Sequence, residues 1–283
     1  MSTPRTPPSL PAVRTIGLML PLSWLVLAWR DMARSGWISF AHGLALALAG
    51  AAIVAIAHQR FWLLAGALSG FLVVAPVLAT SLYALSRALE RGEKADLSVV
   101  LKTWLNWQNN HFNKWGNDYW CMVQFGALLA LAATGWVLTS AALITLLAPV
   151  PIHTPLDFVH HVILAKNGWL FELWLFMGGI IAAPMFASSV VAMPLLLDRR
   201  VTLMQAILTS WQTVLFNPVP MAFWAALIML FTLLGLGALL IGLVLVIPML
   251  GHGSWHAYRA LVDTSTLEER EPVGVKPLSG GAV

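Results

Sequence analysis

The sequence predicts an all-α membrane protein: six transmembrane helices arranged as three parallel hairpin repeats, each preceded by a cytoplasmic interfacial amphipathic helix. Three observations carry that expectation. Of 283 residues, 59% are hydrophobic and only 10% are charged, whereas a soluble domain carries about 25% charged residues. Apolar runs long enough to cross a bilayer recur along the chain, and the mean hydropathy is +0.80. Finally, related segments return three times in one order. A soluble chain of this composition could not cover its own core with polar surface, and lipid removes the problem by solvating the excess.

The runs lie near residues 38–57, 61–86, 119–147, 169–197, 219–237 and 239–258. Each reaches the ~17–20 residues that a helix needs to span the hydrocarbon layer. The last two could form one long helix, and charge decides against it. Six spans put fourteen of the sixteen Lys and Arg on the cytoplasmic side and leave Arg60 and Lys166 outside, whereas five spans give eleven against five. Positive residues are retained on the cytoplasmic side, so six spans are expected, with a reversal at Gly235, Leu236 and Gly237. Both termini are then cytoplasmic. Residues 1–21 and 263–283 read as disordered tails from their Pro, Ser, Thr and Gly content. The transmembrane domain covers 22–262, with repeats at about 22–94, 95–200 and 201–262.

Ahead of each hairpin stands a shorter amphipathic segment: LAWRDMARSG around Trp29, LKTWLNWQNN around Trp104 and LTSWQTVLFNP around Trp211. Their helical spacing suits helices lying in the membrane interface. The returning spans repeat more closely. GFLVVAPVLATSLYALSRAL from Gly70 aligns without gaps to GLVLVIPMLGHGSWHAYRAL from Gly242, pairing Pro76 with Pro248 and Arg87 with Arg259. GGIIAAPMFASSVVAMPLLL from Gly178 places Pro184 at the same spacing. Each proline removes a helical hydrogen bond and frees the carbonyl four residues earlier. Those carbonyls belong to Leu72, Ile180 and Val244, and in lipid each needs protein, a hydroxyl or water beside it.

Four residues after each proline come Thr80, Ser188 and His252, the candidates for a polar core. His42, His252 and His256 form a second candidate group, since three imidazoles at similar depth could ligate a metal or haem. Satisfied interfacial histidines are the plainer reading. Glu172, at the outer end of the fourth span, is the one acid placed to enter a span, or else to sit at headgroup level. The single cysteine, Cys121, forms no intrachain disulfide and builds no Cys-based zinc site. The net charge of +4 and pI of about 9.6 follow from topology, and no basic stripe or motif for nucleic acid occurs. No phosphate loop, dinucleotide fingerprint, nucleophile elbow or HExxH motif occurs either.

The runs MPLLLDRR at 193–200 and IPMLGHGSWHAYRAL at 247–261, with GFLVVAP and LSRALERGE, resemble a bacterial family of predicted integral membrane proteins, a domain of unknown function. The resemblance covers roughly 13–262 and implies a bacterial source but supplies no activity; with the spans and charge distribution, the expected location is the bacterial inner membrane. Some members carry a cytochrome c oxidase label, which implies an association with respiration. The oxidase catalytic subunit needs histidines for two haems and a copper, and here only His42, His252 and His256 lie near such an environment. Three readings stay open. The first is a non-enzymatic accessory or assembly factor, without cofactor, that binds membrane lipids or other inner-membrane proteins. The second is a transporter or channel with its pathway at the proline kinks. The third is a haem or metal protein.

Overall fold

The computed structural model describes residues 10–57, 71, 75–109, 120–165 and 168–270. Among these the secondary structure is helical. In chain order the helices are α1 (Leu20–Ser35), α2 (Trp37–Ala57), α3 (Thr80–Glu90), α4 (Leu97–Asn109), α5 (Trp120–Leu147), the single turn α6 (Pro155–Phe158), α7 (Leu170–Ser189), α8 (Ala192–Asp198), α9 (Leu203–Phe216), α10 (Pro218–Gly237) and α11 (Leu243–Leu261).

Four segments are long and apolar enough to cross a membrane: Trp37–Ile56, Cys121–Leu147, Leu170–Asp198 and Pro218–Gly237. They fall on the first, third, fourth and fifth of the apolar runs. Much of the second run, including residues 61–70, lies outside the described residues. The sixth run forms α11, which is not one of the four. Only 17–50% of the most apolar window of each candidate span is buried inside the protein. Leu131, Leu138 and Leu146 of α5 stand out from the bundle. A continuous apolar exterior of this kind calls for lipid as its solvent.

The reversal between α10 and α11 differs from its expected place. The helix runs through Gly237, and the chain turns over 238–242 with Leu239 and Leu240 in the left-handed region at φ 54° and 67°. Gly235 is used for packing: a Cβ there would lie 2.9 Å from Leu243 Cδ2. The close seat of α11 on α10 therefore takes the glycine, and the turn falls on leucines.

α11 is the hub of one half of the molecule and packs on α1, α2, α3 and α10. α7 joins α5 to α9 in the other half, and α8 bridges α3 and α9. The main core gathers at one end of the bundle, where Trp24, Leu82, Leu85, Met193, Leu195, Trp224, Trp255 and Tyr258 are fully buried. Trp24 meets Trp224 edge to face with centroids 5.3 Å apart, a favoured geometry for aromatic pairs. Two close approaches define the α1–α2–α11 unit. Gly36, at φ 61°, turns the chain from α1 into α2. Gly43 of α2 lies so near α11 that an added Cβ would be 2.2 Å from the carbonyl oxygen of Val244. That carbonyl is the one freed by Pro248, so the glycine backbone covers the polar group left open by the proline.

The prolines act differently in the three returning segments. Pro184 and Pro248 lie inside α7 and α11, whereas the chain after Pro76 makes a turn at Ala79 before α3 begins. The segments around Trp29, Trp104 and Trp211 form α1, α4 and α9, outside the four candidate spans. α9 opens with a capping box in which the Thr202 side chain accepts from Gln205 N–H while Gln205 accepts from Thr202 N–H.

Residues expected in the tails are placed here against the bundle. Val13 bridges Val262, Arg14 N–H donates to the Leu261 carbonyl and Asp263 N–H to the Ala12 carbonyl. Asn217 completes the join, accepting from Ile16 N–H at 2.8 Å and donating to the Arg14 carbonyl at 3.0 Å. Residues 263–270 continue as a strap across the ends of α3 and α8. A composition poor in apolar groups does not prevent such pairing, because the bonds are made by backbone.

Candidate functional site

Polar side chains collect where α1, α2, α3 and α11 meet. α1 brings Asp31 and Ser35, one turn apart, and Ser39 follows one turn later at the start of α2. α11 brings His252 and His256 at the same spacing, so both imidazoles lie on one face. α3 brings Ser86. Asp31, Ser35, Ser39, Ser86 and His252 are all buried.

These groups form a chain of hydrogen-bonding contacts that starts and ends on Asp31. Ser86 donates to Asp31 Oδ2 at 2.7 Å and lies 2.7 Å from His252 Nδ1. Its single proton goes to the carboxylate, so Nδ1–H of His252 donates to Ser86. On the far side of the imidazole, Nε2 lies 2.8 Å from Ser39 Oγ, and Ser39 lies 2.6 Å from Ser35. Ser35 is 2.7 Å from the Asp31 carbonyl, which returns the path to its starting residue. His256 Nε2 approaches Asp31 Oδ2 from the more exposed side at 2.8 Å. Burial alone would push the Asp31 carboxyl up, but the hydrogen bonds from His256 and Ser86 outweigh it and hold the group below the usual carboxylate range.

A second polar centre lies nearby at Asp198, the last residue of α8. Its carboxylate takes Arg87 Nε at 2.9 Å, Arg199 Nε at 2.9 Å and the Tyr258 hydroxyl at 2.7 Å. Arg91 and Arg259 stand at 3.9 Å. Arg87 also donates to the carbonyls of Leu197 and Arg270, and the strap adds Glu269 to Arg91 and Arg199 and Glu268 to Arg200. Residues aligned in the sequence, Arg87 and Arg259, thus approach the same acid. Desolvation would lower the Arg199 guanidinium, but the Asp198 charge and hydrogen bond carry it above its ordinary value.

The candidate residues have separate surroundings. Thr80 is buried and donates to the Val77 carbonyl at 2.6 Å. Ser188 accepts from Trp211 Nε1 at 2.9 Å. His252 bonds Ser39 and Ser86. The three do not hydrogen-bond one another. His42 directs Nδ1 to the Ile38 carbonyl at 2.9 Å, while His252 and His256 are engaged with the ring. Among the described residues no group of three His, Cys, Asp or Glu side chains is arranged to hold a metal ion. Glu172 is exposed in the first turn of α7. Asp31, Ser35, Ser39, Ser86 and Asp198 were not among the expected site residues. The available signal was the four-residue spacing of Asp31, Ser35 and Ser39, which matches that of His252 and His256.

α1, α4 and α9 share an outward pattern. Leu22, Val26 and Trp29, then Leu97, Leu101 and Trp104, then Met204, Leu208 and Trp211 repeat one spacing of four and then three residues. All nine side chains are exposed, between 37% and 63%. The indole nitrogens of Trp104 and Trp211 each donate to a serine 23 residues earlier, Ser81 and Ser188.

Residues 63–198 match the model of a family described as predicted integral membrane protein (DUF2189). The match contains Ser86, Arg87 and Asp198 and the candidate spans of α5 and of α7 with α8; Asp31, Ser39, His252 and His256 lie outside it. No curated protein and no solved structure matches the chain.

Proposed function

Starting from an integral membrane protein with several apolar helices, we propose that this chain is a six-span inner-membrane protein with both ends in the cytoplasm, and that its role is non-enzymatic. It binds membrane lipids, or other proteins of the same membrane, through α1, α4 and α9, as an accessory or assembly factor does. The observation that carries this reading is the exposed triplet repeated on those three helices, each ending in tryptophan. A stripe of Leu, Val or Met closed by an indole suits a helix lying at the boundary of headgroups and acyl chains, where tryptophan is enriched.

Other features support it. The second run, 61–86, and the sixth, 239–258, would supply the two further spans, and the charge distribution favours six. The approach of Arg87 and Arg259, aligned in the repeat, to the same Asp198 supports repeated units. Asp31 bonds His256 directly and His252 through Ser86, and Ser86 and His252 are buried, so the ring reads as a lock between helices. A transport pathway would need Thr80, Ser188 and His252 to share a wet space, and their separate partners weigh against that.

The test is tryptophan quenching in lipid nanodiscs. Lipids brominated near the headgroup should quench Trp29, Trp104 and Trp211, read as the signal lost when each is replaced by Phe. Comparable shallow quenching at all three is the expected result. Quenching by water-soluble iodide in place of shallow brominated lipid would overturn the reading.

A further inference from the structure

α1 differs from the other two in-plane helices in charge. Arg30 and Arg34 lie one turn apart on its exposed side, next to Trp29. The outward face of α9 carries no cation, and that of α4 includes Lys102. Six other arginines, at 14, 87, 91, 199, 200 and 259, each have a carboxylate oxygen at 2.6–3.5 Å. Arg30 and Arg34 have no acidic partner among the described residues. The acid between them in sequence, Asp31, turns inward to Ser86 and His256 and is buried, so it cannot serve them.

Their place in the fold sets what could. Two residues after Arg34 the chain turns at Gly36, and the candidate span begins at Trp37. The guanidinium groups are therefore anchored about one and two turns before the point where the chain enters the hydrocarbon. Leu22, Val26 and Trp29 lie on the same helix and fix its apolar side toward the acyl chains. Arginine presents a planar fork of donors that matches the geometry of a phosphate.

Resting on the in-plane placement of α1 argued above, we propose that Arg30 and Arg34 form a binding site for the phosphate of anionic phospholipid headgroups, which makes α1 the charge-selective member of the three helices. Those six arginines are occupied by carboxylates and hold the fold together, whereas this pair faces the lipid.

The experiment uses the full chain in nanodiscs made from phosphatidylcholine and phosphatidylglycerol in roughly equal amounts. The protein is extracted in mild detergent, and the retained lipid is quantified by mass spectrometry. The wild type should retain phosphatidylglycerol over phosphatidylcholine. A basic residue near an anionic surface is worth about 1 kcal/mol, or about fivefold, so Arg30→Gln and Arg34→Gln should each lower that preference by about fivefold. The doubly substituted Arg30→Lys, Arg34→Lys chain should keep most of it. Both side chains are exposed, so thermal unfolding of the Gln variants should match the wild type. An unaltered preference in the double Gln variant overturns the proposal. So does displacement of the retained lipid by millimolar inorganic phosphate, which would assign the site to a soluble anion. If Trp29 is quenched by shallow brominated lipid while retention ignores headgroup charge, this proposal fails and the in-plane reading stands. If Trp29 is not quenched, the in-plane reading itself fails.

Discussion

Asp31 carries the ring. It is a buried acid that accepts from Ser86 and His256 through one oxygen, and those bonds keep its carboxyl below the usual range. A carboxyl depressed in the folded state adds stability that is fully present above its unfolded value of about 4 and is lost as the pH falls through the folded value. Thermal unfolding in detergent should therefore show no pH dependence from Asp31 near neutrality and weaken in acid. Asp31→Asn should lower the neutral stability by roughly 1–3 kcal/mol, the cost of leaving buried partners unsatisfied, and flatten the acid limb. An acid limb of the same steepness in Asp31→Asn would assign it to other groups. At this scale the sequence was partly legible. His252 and His256 stood out as imidazoles in an apolar helix, but a serine in a membrane segment is common. Whether Ser86 meets an imidazole or its own helix depends on how α3 rotates against α11, which local spacing does not encode.

α11 shows how an element is fitted. Pro248 opens a carbonyl at Val244, and α2 closes over it with Gly43, where no side chain could fit. In Gly43→Ala the added methyl would overlap a backbone atom, which cannot rotate aside. Overpacking of this kind costs about 1–3 kcal/mol, and the midpoint of thermal unfolding should fall accordingly; Gly179→Ala, where nothing lies within 4 Å, should not lower it. An unchanged midpoint for Gly43→Ala would mean that α2 and α11 separate freely. Helices at this scale were the most legible part of the chain, since 37–56, 121–147, 170–198 and 218–237 follow directly from apolar run length. The turn after α10 was misplaced because glycine has two uses, tight turns and close packing. Gly235 serves the second, and only the position of α11 shows it.

Across the whole molecule, Asp198 ties together parts distant in sequence: Arg87 from α3, Arg199 after α8, Tyr258 from α11 and, through Arg87, the strap at Arg270. Removing one partner of a buried ion pair costs about 3–5 kcal/mol because it strands the other charge. Asp198→Asn should thus unfold at markedly lower temperature, whereas Glu268→Gln, an exposed partner of Arg200, should cost 1 kcal/mol or less, as is typical of surface pairs. Equal losses would move the weight from the centre to the strap. This convergence was not legible. MPLLLDRR ends an apolar run with charged residues, and no local pattern says that arginines from α3 and α11 arrive there.

The bond between Asp31 and His256 joins residues 225 positions apart. At a synthesis rate of about 5–20 residues per second, α1 leaves the ribosome roughly 10–45 s before α11 can meet it. Throughout that interval Asp31 is a carboxylate without its imidazole partner on a helix that borders lipid. A helix that inserted fully would have to carry that charge into hydrocarbon; one that rests along the surface keeps it wet. On the proposed in-plane placement, α1 can wait at the membrane face while the central spans insert, and α11, on arrival, draws the acid inside and completes the protein in one late step.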